Sequence, residues 1–411
     1  MFTRTVHPFV SALLLACTAT AADWPQWRGP TRDGQVPGPA WPDSLKADRL
    51  RQVWRAPLGA SYSGPLADAE RVYTTESRDQ AYEAVLALDR TTGRQVWRVQ
   101  WEGYLKVPFF ARSNGDWIRA TPALADGRLF VGGMRDVLVC LDAASGRELW
   151  RVDFPAQFKQ PLPDFGFVSS PLVAGNAVYV QAGGGVVRLD AATGTVQWRS
   201  LEDGGGMLGS AFSSPVLATL GGTPQLLVQT RNALAGLEAV TGRVLWQQPI
   251  KAFRGMNILT PTVTGPDTLF TSAYGGETQG WRAARDGDRW QLQETWKLKL
   301  EGYMASPVLV DGHAYFHLRN QRAACVDVTG GRLKWETSEK FGKYWSLAAN
   351  GRRILALDER GELLLLAANP AKFELLDRRK ISEADTWAHL GVSGGDLLIR
   401  EREALALWRW E

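Results

Sequence analysis

Two histidines four residues apart, His313 and His317, have the spacing that puts two imidazoles on one face of a helix, where they can share a zinc ion. Their surroundings argue otherwise. Asp311-Gly312 is a turn signal and Ala314-Tyr315-Phe316 favours a strand. Four residues along a strand span about 13 Å, too far for one metal with bonds of about 2 Å. They are therefore read as unrelated strand histidines, His389 stands alone, and no metal site is expected. Gly183-Gly-Gly185 and Gly204-Gly-Gly-Met-Leu-Gly209 are followed by neither Lys-Ser/Thr nor a helix, so they read as loop glycines rather than a phosphate cradle. No Ser-His-Asp pattern is present, and no catalytic residue is expected.

A richer set consists of arginines and aromatics that recur just before Ser/Thr-Pro or its equivalent. Arg112, Trp117 and Arg119 come first, then Phe167, Phe212, Arg254 with Asn257, Tyr303, Tyr344 with Trp345, and Trp387. Such side chains anchor protein partners and stack on planar or sugar-like ligands. They could equally serve only to fill a wide channel. Which use applies depends on the elements that hold them.

Those elements are set by a repeated phrase. Leu88-Asp89-Arg-Thr-Thr-Gly93-Arg-Gln-Val-Trp97 returns as Leu141 to Trp150, Leu189 to Trp198 and Leu237 to Trp246, with a worn copy from Val326 to Trp335. The tryptophans Trp54, Trp97, Trp150, Trp198, Trp246, Trp296 and Trp335 are separated by 43, 53, 48, 48, 50 and 39 residues. Each interval holds Ser/Thr-Pro, an apolar run, a glycine turn, a second and a third run, the Asp-x-x-x-Gly turn, and a fourth run carrying Trp. Proline suits a strand start and the turn glycine suits positive φ. Almost no stretch has helical period. The pattern predicts an all-β fold, an eight-bladed β-propeller of four-stranded antiparallel blades, with seven blades as the competing count. The seventh unit has Leu376 where Trp is due. The eighth ends at Trp408-Arg-Trp-Glu411 without a fourth strand, while Arg51-Gln-Val-Trp54-Arg55 is a fourth strand without a blade. The N-terminal strand is therefore expected to close the ring.

The repeat resembles the pyrroloquinoline-quinone (PQQ) repeat family of propellers, and Asp23-Trp24-Pro-Gln-Trp27-Arg28-Gly29-Pro30 resembles the opening of its exported bacterial members. The resemblance runs from residue 24 to 411. It implies that the repeat tryptophans dock between blades. The family includes quinoprotein alcohol dehydrogenases and non-catalytic, BamB-like members. The dehydrogenases pair two adjacent cysteines and hold calcium beside the quinone with Glu and Asn or Asp. This chain has no Cys-Cys, and no such ligand set can be matched onto it. The expectation is thus a non-catalytic scaffold binding a protein, peptide or small ligand at the channel mouth, with no cofactor. A PQQ-dependent oxidoreductase and an envelope sugar-binding module are the alternatives.

The composition agrees. A 45% hydrophobic chain of 411 residues with 18 Trp can bury a large core, and a net charge of +4 without a basic stripe argues against nucleic acid. Arg4, the apolar Phe9–Ala16 and the small residues Ala19-Thr-Ala21 read as an export signal over residues 1–22, too short to span a membrane. Leu14-Leu-Ala16-Cys17 offers a second reading, a lipid anchor on Cys17. Residues 23–50 then form an N-terminal lead segment and 51–411 the propeller, expected as a monomer in the periplasm or at the outer membrane of a bacterium. Cys140 and Cys325 occupy the same slot in units four apart in the ring, beyond the ~7 Å reach of a disulfide, so two free buried thiols are expected.

Overall fold

The computed structural model describes residues 23–411 apart from 210 and 288; the segment read above as an export signal, with Cys17, lies outside the described residues. Eight four-stranded antiparallel sheets form the ring. Blade 1 is built from Leu66–Ala67, Arg71–Arg78, Tyr82–Asp89 and Gln95–Glu102. Blades 2 to 7 follow at residues 123–153, 172–200, 216–249, 262–298, 308–336 and 345–380. Blade 8 takes three strands from residues 391–410, and its outer strand is Leu50–Pro57, paired antiparallel with Ala404–Trp410. The count is eight, and the N-terminal strand closes the ring. Each proline of the Ser/Thr-Pro pairs sits one residue before its strand, where no ladder donor is needed.

The repeated phrase has one physical job. Asp89 Oδ1 accepts from the Thr92 amide (2.8 Å) and hydroxyl (2.7 Å), which closes the turn and holds its carboxyl below the ordinary range. The turn ends on Gly93 at φ 70°, with the Trp54 ring 2.6 Å from where a Cβ would stand. The Trp54 indole donates to the Arg90 carbonyl (2.9 Å). Trp97 meets Gly146 and the Ala143 carbonyl, Trp150 meets Gly194 and Ala191, Trp198 meets Gly242 and Ala239, and Trp296 meets Gly331 and Val328 in the same way. Trp335 donates to Asn369 in blade 7. Each indole thus buries its ring against the following blade and satisfies its N–H there.

Trp246 departs from this pattern. Its indole donates to Gln225 Oε1 within its own blade (2.7 Å), although the ring still packs with Trp281 and Trp290 of blade 5. Blade 5 lacks the Asp-x-x-x-Gly turn, having Arg285-Asp286-Gly287 there, so no carbonyl and glycine seat is presented. Cys140 and Cys325 are free and buried, each directly opposite a repeat Trp in the strand register. They are small packing residues beneath an indole.

Residues 23–50 run through the ring rather than beside it. Trp24 exchanges backbone bonds with Ala67, and Pro25 accepts from Leu124. The buried Arg28 donates to Pro307, and the buried Arg32 donates to Pro171 (2.7 Å) and Ser170 (3.1 Å). Val36 and Gly34 bracket Ala349. The lead therefore ties the inner strands of blades 1, 2, 3, 6 and 7 together and blocks one end of the channel. It then passes out along blade 7, where Asp377 accepts from the Leu45 amide (2.6 Å), and becomes the outer strand of blade 8.

Trp198→Ala is expected to lower unfolding free energy by about 3–5 kcal/mol. Gly242→Ala, whose methyl would sit against that ring at φ 74°, is expected to cost more than about 1 kcal/mol. Because the ring causes the clash, the double variant should cost less than the sum in urea unfolding. Additive losses would refute the docking account.

Candidate functional site

In an up-and-down blade, the loops from strand 4 to the next strand 1 emerge on the same face as the turns between strands 2 and 3. These two sets surround a cavity of about 870 Å³ at the open end of the channel. Trp27 of the lead segment, His389 and the hydroxyl residues Thr121, Ser170, Ser214 and Ser306 form its floor. These hydroxyls link neighbouring blades. The Gly64 amide donates to Thr121 Oγ1, Thr121 to Ser170 Oγ, Ser170 to Ser214 Oγ, Ser214 to Thr260 Oγ1 and Thr260 to Ser306 Oγ, at 2.9–3.3 Å. The Ser/Thr of the Ser/Thr-Pro pair is thus a blade-to-blade acceptor.

His389 is buried, edge-on to Trp27 (6.0 Å), with Nδ1 2.9 Å from the Leu390 carbonyl. Burial, reinforced by Arg28, pushes its pKa down to about 3, so the ring is neutral at physiological pH. His313 and His317 do lie on one strand, His313–His317. His317 is buried beside Trp345, and burial lowers it to about 4.

Six of the arginine and aromatic residues singled out in the sequence line the cavity together: Arg119, Phe212, Arg254, Tyr303, Tyr344 and Trp387. Five do not. Phe167 is turned into the core over Gly132, and Trp345 is buried, donating to Asp358. Asn257 is a buried brace whose amide donates to the Thr230 (3.1 Å) and Arg231 (3.0 Å) carbonyls. Arg112 is exposed on the short 3-10 turn Phe109–Asn114. Trp117 lies behind Tyr62 (5.2 Å, edge-on) and borders a smaller neighbouring cavity of about 360 Å³. Loop position alone could not separate these groups, because turns within the loops, as at Gly115, Gly166 and Gly255, set the direction of each side chain.

Tyr62 and Arg231 are lining residues that the sequence does not single out, while Trp27 of the opening motif and Phe110, Phe165 and Phe253, from the same aromatic loops as the chosen residues, join the lining as well. Arg231 was legible in principle, since it sits in a strand 2–3 turn on the same face. Its guanidinium lies 4.7 Å from the Phe212 ring and donates to the carbonyls of Met207 (3.2 Å) and Arg254 (2.7 Å), joining two loops. Elsewhere the rings pair with each other, Tyr62 stacking on Trp387 at 5.2 Å. Arg119 donates to the Gly115 (2.9 Å) and Trp117 (3.3 Å) carbonyls, and burial lowers it only to about 10, so it stays cationic. Among the described residues, the lining contains Arg119, Arg231 and Arg254 but neither Asp nor Glu.

A profile described as the outer membrane protein assembly factor BamB matches residues 81–337. The chain belongs to that family. Outer membrane protein assembly factor BamB of Moranella endobia (strain PCIT) is 25% identical over 266 residues, 60% of this chain and 64% of that protein. The Shewanella oneidensis protein of the same name is 25% identical over 269 residues, covering 62% and 61%. The chain therefore spans a little under two thirds of the length of these curated relatives. The crystal structure of BamB from Moraxella catarrhalis superposes over 88% of this chain and 98% of that one, with a TM-score of 0.62 at 16% identity, a likeness of fold.

Two buried carboxylates brace this face. Glu83 accepts from the Met134 amide (2.8 Å) and the Trp101 indole (3.0 Å), tying blade 1 to blade 2. Asp136 accepts from the Gly183 amide (2.8 Å), tying blade 2 to blade 3. Burial pushes both up to about 7 despite these donors. In the unfolded chain both groups have lost their protons above roughly pH 5, whereas the folded protein keeps them until about 7. Stability should therefore fall as pH rises from about 5 to 7. Glu83→Gln should make that decline shallower in urea titrations at several pH values, and an unchanged slope would show that Glu83 does not carry it.

Proposed function

We propose that this chain is a non-catalytic propeller of the bacterial cell envelope that serves outer-membrane protein assembly by holding a protein partner at its open channel mouth. The observation that carries this reading is the mouth itself. It is a cavity of about 870 Å³ ringed by paired aromatics and arginines, the residue types enriched where proteins grip one another. It stands on a rigid ring whose other end is filled by the protein's own lead segment. Membership of the BamB family supplies the process, since the matched relatives are named as outer membrane protein assembly factors. A propeller alone would not, because one fold serves many functions.

The oxidoreductase alternative fits the lining less well. The resemblance implies a calcium ion held by Glu and Asn or Asp beside the quinone, and among the described residues this lining presents guanidinium groups and no carboxylate. The two described cysteines sit in different blades, not side by side.

The test is made in the host cell. A photo-crosslinking residue at Phe253 or Trp387 should trap a component that inserts outer-membrane β-barrels. Deleting the gene should lower the amount of those barrels in the membrane. Unchanged barrel levels, with no such component in the adduct, would overturn the proposal. In parallel, calorimetry with PQQ and Ca²⁺ should give no saturable heat; one-to-one binding with dye reduction would favour the enzyme.

A further inference from the structure

The charges and exposure of the mouth narrow the partner's chemistry. The described residues of the lining carry three guanidinium groups without a carboxylate among them. Nearby acids are already engaged: Asp116 by the Tyr104 hydroxyl (2.8 Å), Glu359 by the Tyr344 amide and Asp385 by Arg402 (3.4 Å). No described carboxylate forms an ion pair with Arg119 or Arg254. Arg254 is also held at φ 50°, ψ 33°, a left-handed conformation that a glycine would adopt without strain. The Arg231 guanidinium, donating to the Arg254 carbonyl, keeps that loop in place. The fold thus tolerates local strain and presents a cation at the rim.

Apolar surface continues outward from the cavity. Phe109 is 79% exposed, Phe110 52%, Phe253 47% and Met207 44%, on three different interblade loops. A small molecule resting on the floor would leave these side chains in water. A chain segment that enters the cavity and continues over the rim would cover them.

We infer that the mouth seats an acidic, aromatic-bearing peptide segment of a partner protein, its carboxylates meeting Arg119 and Arg254 and its rings packing on Tyr62, Trp387 and the Phe253 rim. This rests on the reading that a protein occupies the mouth and specifies what that protein must present. Cation–π contacts made by Arg231 with Phe212 and by Arg254 with Phe253 (5.2 Å) place guanidinium and aromatic surfaces side by side at the mouth.

The test titrates the purified full chain with acetyl-Gly-Asp-Phe-Glu-Phe-Asp-Gly-amide, followed by calorimetry and tryptophan fluorescence. Controls are the same peptide with Lys in place of Asp and Glu, the same with Ala in place of Phe, and phenylacetate. Saturable one-to-one binding of the acidic aromatic peptide alone is expected. It should weaken as salt rises from about 0.1 M to 1 M, across which the screening length falls from about 10 to 3 Å. Arg254→Glu, at an exposed side chain, should weaken it at least about tenfold without changing Tm, and Phe253→Ala should weaken it as well. Equal binding of the lysine peptide, or no effect of Arg254→Glu, would overturn the inference. Phenylacetate matching the peptide would overturn it in favour of a small anionic ligand. If no peptide binds while the Phe253 crosslink still traps an assembly component, the acidic-segment inference falls and the proposed function stands. If the peptide binds and the crosslink finds no such component, the reverse holds.

Discussion

Every blade but the eighth, which is met by Leu376, is met by the repeat tryptophan of the blade before it, and that contact sets nearly everything else. The indole needs a flat seat and a carbonyl within reach of its N–H. The Asp-x-x-x-Gly turn supplies both, because the Asp carboxylate closes the turn and the glycine leaves no Cβ between ring and backbone. A one-blade unit has no partner for either half, so the fold is stable only as a closed ring. The junction between blades 4 and 5 shows the dependence from the other side. Where the turn is missing, Trp246 satisfies its N–H at home and interblade contact falls to plain apolar packing.

Closing such a ring leaves a channel, and two further devices manage it. On the inner wall, the Ser and Thr of the Ser/Thr-Pro pairs pass hydrogen bonds from blade to blade, so amides that have no strand partner are satisfied around the axis. Across the axis, the lead segment threads Arg28 and Arg32 into the wall, each guanidinium bonding carbonyls of a different inner strand. Burying these cations costs desolvation, which lowers both arginines, to about 10 and about 9. What offsets it is a set of otherwise unpaired carbonyls. The consequence for function is directional: one end is filled by the chain itself and the other is free to receive something else.

The open end has the physical character of an interface. Its polar groups are mainly fixed donors on long stems, its rings are held by one another, and the histidine at its floor is kept neutral by burial. A site built for acid–base work would place a titratable group near neutral pH in the lining. Here the groups pushed to about 7, Glu83 and Asp136, bridge neighbouring blades behind the mouth and accept backbone or indole N–H groups.

Read alone, the sequence determined the architecture: the period, the turn chemistry, the eight units, the closing strand and the free cysteines all follow from local residue types repeated at fixed spacing, because turns and short strands are specified by near neighbours. It also located the face that carries the arginines and aromatics. Only the tertiary structure decided which of them meet. Phe165 enters the cavity and Phe167 the core, because the chain turns between them at Gly166, whose φ is 73° and whose amide donates back to the Pro163 carbonyl. Trp27 comes from a segment far away in sequence and becomes a neighbour of His389 through the threading of the lead, as Tyr62 becomes a neighbour of Trp387 through ring closure. Those juxtapositions rest on contacts between distant parts of the chain, and no local pattern encodes them.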